Sequence, residues 1–306
     1  MHISRIPSIE SKLLTLPEFK FETFQIPFNS NSEVLSGMVC RRVDERNSYY
    51  INDEYQKSRI VLHFTAGHLR GDMRTLMDPS STVSVPYVIG RSGTIYQLFN
   101  PKYWAWHLGR GAVGTNTNQS PRTIAIELSN YGFLIKKGEE LHTYYSSESN
   151  PDVYCHISDK SAYLELETKY RDNSFYAAYT EEQYSSLIIL LRYLTSVFNI
   201  DRSFLPWEQR FEASQEVLNF DGIVSHVNYR RSGKWDIGPA FDWNRLEEGV
   251  SRSHITTDSE SFPPVISTLD TSVKLTSNDV IDEKYQVSTL KSEVEFSKYS
   301  GDGPEQ

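Results

Sequence analysis

The chain has 306 residues, 38% apolar and 13% aromatic, enough to bury a sizeable core in one large domain or two small ones. Its 31 Lys and Arg against 40 Asp and Glu leave a formal charge of −9, which speaks against duplex nucleic acid or an anionic membrane surface as the main partner. Only Cys40 and Cys155 are present, too few for a disulfide framework or a Cys-rich zinc cluster, so the chain suits a reducing compartment.

The opening MHISRIPSIESKLL has no apolar h-region, and no run of about 18 apolar residues follows. The expectation is a protein without a Sec-type address or membrane insertion, cytoplasmic as synthesised, with phage-type release or a dedicated secretion system as its routes out. Residues 1–56 read as a strand-containing lead-in. Phe19, Phe21 and Phe24 alternate with polar residues as in a strand, Asn29 to Ser32 is turn-like, and Arg41 to Asp44 is charged. Residues 57–250 alternate strand and helix signals, which predicts an α/β domain with a central mixed sheet flanked by helices. RIVLHF at 59–64 is a nearly continuous β-branched and apolar run, as expected of a strand buried on both faces. YVI at 87–89 and TIYQL at 94–98 flank Gly90 and Gly93 and predict a hairpin. TIAIEL at 123–128 is a further strand, and so is GIVSH at 222–226. Between them Thr180 caps a predicted helix. Its apolar residues Tyr184, Leu187, Ile188, Leu191, Leu194 and Phe198 keep the helical period, and Glu181 and Glu182 suit its first turn. Residues 133–179 are rich in tyrosine and too long for a plain connection, so they are expected to cover something. Residues 251–306 carry ten acidic and five basic side chains with few aromatics. They are expected to form a flexible polar tail, with at most a short strand near Tyr285.

Two predicted strands end in histidines, His63 and His226. Asp236 follows ten residues after the second, on a Gly-containing turn that could return to the same edge of the sheet. Two histidines and a carboxylate are a catalytic zinc ligand set that leaves a position open for water. On residue spacing alone, two half-buried histidines and a turn-capping aspartate are the better reading, because three ligands scattered over a chain are easily found by accident.

The surrounding words resemble the zinc-dependent N-acetylmuramoyl-L-alanine amidase family, which includes the peptidoglycan recognition proteins. HFTAG at 63–67, YVIGRSGTIYQL at 87–98, AWHLG at 105–109, TIAIELSNYG at 123–132 and SHVNYRRSGKWDIGPAFDW at 225–243 stand in the family's order. The resemblance implies an amidase-like domain with its zinc site at one edge of the sheet, and Zn2+ held by His63, His226 and Asp236. By the same resemblance, Lys234 stabilises the oxyanion and Glu127 activates or relays the proton of the attacking water. His107 matches a recurrent cleft histidine that touches substrate, and Trp106 offers a stacking face to a sugar ring. Some family members place a catalytic tyrosine where this chain has Val85, and Tyr87 aligns with a strand residue, so neither is given a catalytic role. His68, His142, His156 and Cys155 match nothing in the family and read as structural or surface residues.

The implied activity is hydrolysis of the amide between N-acetylmuramic acid and L-alanine in peptidoglycan or muropeptides, by a protein expected to be monomeric. Two other readings stay open. One is a non-catalytic peptidoglycan receptor, disfavoured by the complete ligand set; the other is a zinc amidohydrolase of the same fold acting on a different N-acyl amide.

Overall fold

The computed structural model describes residues 3–251; the tail expected at 251–306, including the strand near Tyr285, lies outside the described residues apart from Ser251. In chain order the elements are α1 (Ile6–Ser11), β1 (Phe19–Phe28), β2 (Glu33–Arg42), β3 (Arg59–Phe64), α2 (Leu69–Leu76), β4 (Tyr87–Ile89), β5 (Ile95–Gln97) and α3 (Asn116–Gln119). They continue with β6 (Thr123–Leu128), β7 (Phe133–Lys137), β8 (Glu140–His142), β9 (Val153–His156), β10 (Tyr163–Tyr170), β11 (Asn173–Ala177), α4 (Glu181–Phe198), β12 (Gly222–Ser225) and α5 (Trp243–Ser251).

Seven strands form one mixed sheet in the order β1-β2-β5-β4-β6-β3-β12. β3 lies parallel between β6 and β12, as its unbroken apolar run requires of a strand covered on both faces. Side chains alternate across such strands. Ile60, Leu62, Ile124, Ile126 and Leu128 therefore pack with Leu187, Leu190, Leu191 and Leu194 of α4 in one core. Val61 and Ala125 belong to cores on the opposite side, and Thr123, His63 and Glu127 share their parity. α4 starts at a complete capping box, in which the Thr180 hydroxyl accepts from Gln183 N and the Gln183 side chain accepts from Thr180 N. It ends at Asn199 in left-handed backbone.

Two features go beyond the sequence reading. β1 runs on to Phe28 and, through β2, joins the central sheet beside β5, because Ile26, Phe28 and Leu35 are core residues under α4. The tyrosine-rich segment is a second sheet, ordered β10-β11-β7-β8-β9. Its own small core holds Tyr131, Leu134, Leu141, Tyr154, Cys155 and Tyr163. Among the described residues no helix is long and apolar enough to cross a membrane.

Candidate active site

His63 is the fifth residue of β3, and His226 follows β12 directly. Because β3 and β12 are parallel neighbours, both histidines emerge at the same end of the sheet. Asp236 is brought to them by a loop whose carbonyl at Asp236 accepts from Val227 N at 2.9 Å. His63 Nδ1 lies 3.0 Å from His226 Nδ1 and 3.1 Å from Asp236 Oδ2, and the latter two are 2.8 Å apart. All three residues are buried, with 5% exposure or less.

The outer ring nitrogens decide where the protons are. His226 Nε2 donates to Leu108 O at 3.0 Å, a carbonyl that can only accept, so in the neutral ring Nδ1 keeps a bare lone pair. His63 is set by a longer relay. The Thr123 hydroxyl has carbonyl acceptors at Gln119 O and Ser120 O, 3.2 and 3.1 Å away, and so presents its lone pair to His107 Nε2–H at 2.7 Å. His107 Nδ1 is then an acceptor, and His63 Nε2–H donates to it at 3.1 Å. This leaves His63 Nδ1 turned inward. Burial pushes His226 down to about 4 and His107 well below the usual histidine range, so both rings are neutral at pH 7. Two bare nitrogens and a carboxylate oxygen within about 3 Å of one another repel unless a cation lies among them. Their chemistry fits a divalent ion that takes imidazole and carboxylate ligands.

The same cavity, of about 140 Å³, is lined by His63, His107, Glu127, His226, Lys234 and Asp236 together with Val85 and Phe133. Glu127 stands opposite His63 in the β3–β6 register, and its Oε2 is buried without a hydrogen-bond partner. Burial, then the Asp236 and Asp72 carboxylates, raise its pKa well above the usual value, with Lys234 opposing. Asp72 on α2 is itself raised to about 7, chiefly by burial.

Trp106 is half-buried, meets the edge of Trp104 at 4.7 Å and does not line the cavity. Tyr87 lies in the α4 core, away from it. His68 caps α2 by accepting from Gly71 N, and His142 is buried between Ser146 and Glu140. The sequence reading did not single out Thr123, although it opens the very strand that carries Glu127.

Residues 54–239 match the N-acetylmuramoyl-L-alanine amidase family. The chain belongs to that family. No curated protein matches it. Among solved structures it is similar to the Escherichia coli amidase AmiD bound to the substrate anhydro-N-acetylmuramic acid-L-Ala-D-gamma-Glu-L-Lys, at 20% identity and TM-score 0.39 over 65% of this chain and 59% of that one. It is similar to AmpD at 19% identity and TM-score 0.38, over 66% of this chain and 90% of that one. A third is Pseudomonas aeruginosa AmpDh3 in complex with anhydromuramic pentapeptide, at 15% identity and TM-score 0.40, over 83% of this chain and 89% of that one. The chain thus spans under two thirds of the length of AmiD.

Proposed function

We propose that this amidase-family chain hydrolyses the amide between N-acetylmuramic acid and L-alanine, with zinc held by His63, His226 and Asp236. One observation carries the reading: three inward-facing donor atoms, proton-free by their own hydrogen bonds, share a small cavity with a carboxylate and an ammonium. When bound, zinc would lower the pKa of water to about 7 and polarise the scissile carbonyl. Glu127 takes the proton of the attacking water and returns it to the departing alanine nitrogen, a task suited to a carboxylate whose affinity for protons burial has raised. Lys234 places positive charge where the carbonyl oxygen becomes negative. His107 and Thr123 hold His63 in the tautomer that turns Nδ1 inward. Phe133 and Trp235, whose rings lie 4.7 Å apart, line the same cavity and offer apolar surface to the sugar or peptide on either side of the scissile amide.

The test is mass-spectrometric identification of products from defined muropeptides, alongside the metal content of the full chain. Free stem peptide, close to one zinc per chain, and loss of both in His226→Ala are expected. Binding of muropeptide without release of stem peptide would establish the receptor reading instead, and cleavage confined to other N-acyl amides would establish the third.

A further inference from the structure

The second sheet reaches the loop that carries Lys234 and Asp236 through the turn between β10 and β11. Arg171 and Asp172 in that turn both adopt left-handed backbone, φ +46° and +67°, and Asn173 Nδ2 donates to Arg171 O at 2.8 Å. From the turn, the Arg171 guanidinium donates through Nη2 to Arg230 O at 3.0 Å and through Nη1 to Lys234 O. Trp235 Nε1 donates back to Arg171 O at 3.1 Å. One rigid fork thus holds both ends of residues 230–234, and the residue between Lys234 and Asp236 returns a third bond. The turn is itself anchored. The Tyr170 hydroxyl donates to Phe211 O at 3.0 Å, and its ring lies so close to Gly238 that a Cβ there would come within 2.5 Å of it.

The held loop has little packing of its own. Arg231 and Ser232 are exposed, and Gly233, at φ +70°, has open space around its Cβ position. Each such residue gains backbone entropy when released, so its order has to come from outside the loop. We infer that Arg171 is a positioning residue for Lys234 and Asp236, which makes the inserted sheet a brace of the reactive centre as well as a wall beside it. The catalytic consequence rests on the amidase reading; the ordering of the loop does not.

The test uses the full chain and three variants, Arg171→Ala, Arg171→Lys and Trp235→Phe. Hydrogen exchange without metal or substrate should be at least about tenfold faster for peptides covering 230–236 in Arg171→Ala, and unchanged over α4. An ammonium donates as a single point, so Arg171→Lys should restore part of the protection, and Trp235→Phe, which keeps an aromatic ring but loses the indole N–H, should lose a smaller part. With zinc and muropeptide, kcat in Arg171→Ala should fall about 10- to 100-fold with KM within about twofold, because Lys234 acts on the transition state. Unchanged exchange over 230–236 in all three variants overturns the inference, as does faster exchange spread evenly over α4 and the loop. If the wild type leaves muropeptide intact, the amidase reading falls, and the exchange data still decide whether Arg171 orders the loop.

Discussion

Replacing Thr123 by Val tests the hydrogen-bond relay behind His63. Valine keeps the shape and the β-strand preference of threonine and deletes only the hydroxyl that accepts from His107 Nε2–H. Ser120 O keeps a partner, since it also accepts from Thr123 N. In the metal-free protein the relay can reverse: His107 Nδ1–H donates to His63 Nε2, and His63 Nδ1–H donates to Asp236 Oδ2, 3.1 Å away. With a cation on His63 Nδ1 that reversal is closed. His107 must then accept through Nδ1 and leave its Nε2–H facing a methyl group. An orphaned buried donor costs about 1–3 kcal/mol, and here the cost falls on the metal-bound state alone. Zinc affinity should therefore drop by roughly 5- to 150-fold at about 1.4 kcal/mol per decade, a range that spans the loss typical of partners behind metal ligands. The assay is competition with a chromophoric chelator at fixed pH, with Thr123→Ser as the control that keeps the hydroxyl and should stay within about twofold of wild type. If Thr123→Val also bound zinc within twofold of wild type while His226→Ala lost it, the proposed tautomers would be refuted.

Glu127→Gln and Lys234→Ala should keep zinc and muropeptide binding while turnover falls about 10²–10⁴-fold and 10²–10³-fold respectively, measured by steady-state kinetics. Asp72 has a folded pKa of about 7 against an ordinary 3.8. The folded state therefore holds a proton that the unfolded state has released, and the associated stability is full below about pH 4 and lost as pH rises towards 7. Asp72→Asn should abolish that decline in a denaturant-melt series, leaving the substituted protein the more stable one at pH 8. Gly132 has φ +71°, and a Cβ there would lie 2.3 Å from the Phe64 ring beside His63. Gly132→Ala should cost at least about 1–3 kcal/mol by thermal denaturation, and an unchanged midpoint would contradict the packing.

The elements that were legible are those whose signal is local. The apolar run of β3, the run of Ile, Ala and Leu that Glu127 interrupts in β6, and the Thr180 cap with the period of α4 each follow from residues a few positions apart. The ordered words around His63, His226 and Asp236 marked the centre, and in the fold those residues converge. Strand length was less visible: β1 extends to Phe28 because pairing with β2 lets Ile26 and Phe28 reach the α4 core, and no local pattern reports a partner. The inserted segment showed only that it was long and aromatic, since five strands that pair mainly with one another owe their order to register rather than composition. The tertiary structure alone decided which nitrogen of each histidine faces inward. That choice depends on Thr123, His107 and Leu108 O, which lie far from His63 and His226 in the chain and meet them through the β3–β6 register and the return of the 105–109 loop. Arg171 was silent for the same reason, because its fork acquires meaning only when the turn that bears it closes on the carbonyls of Arg230 and Lys234.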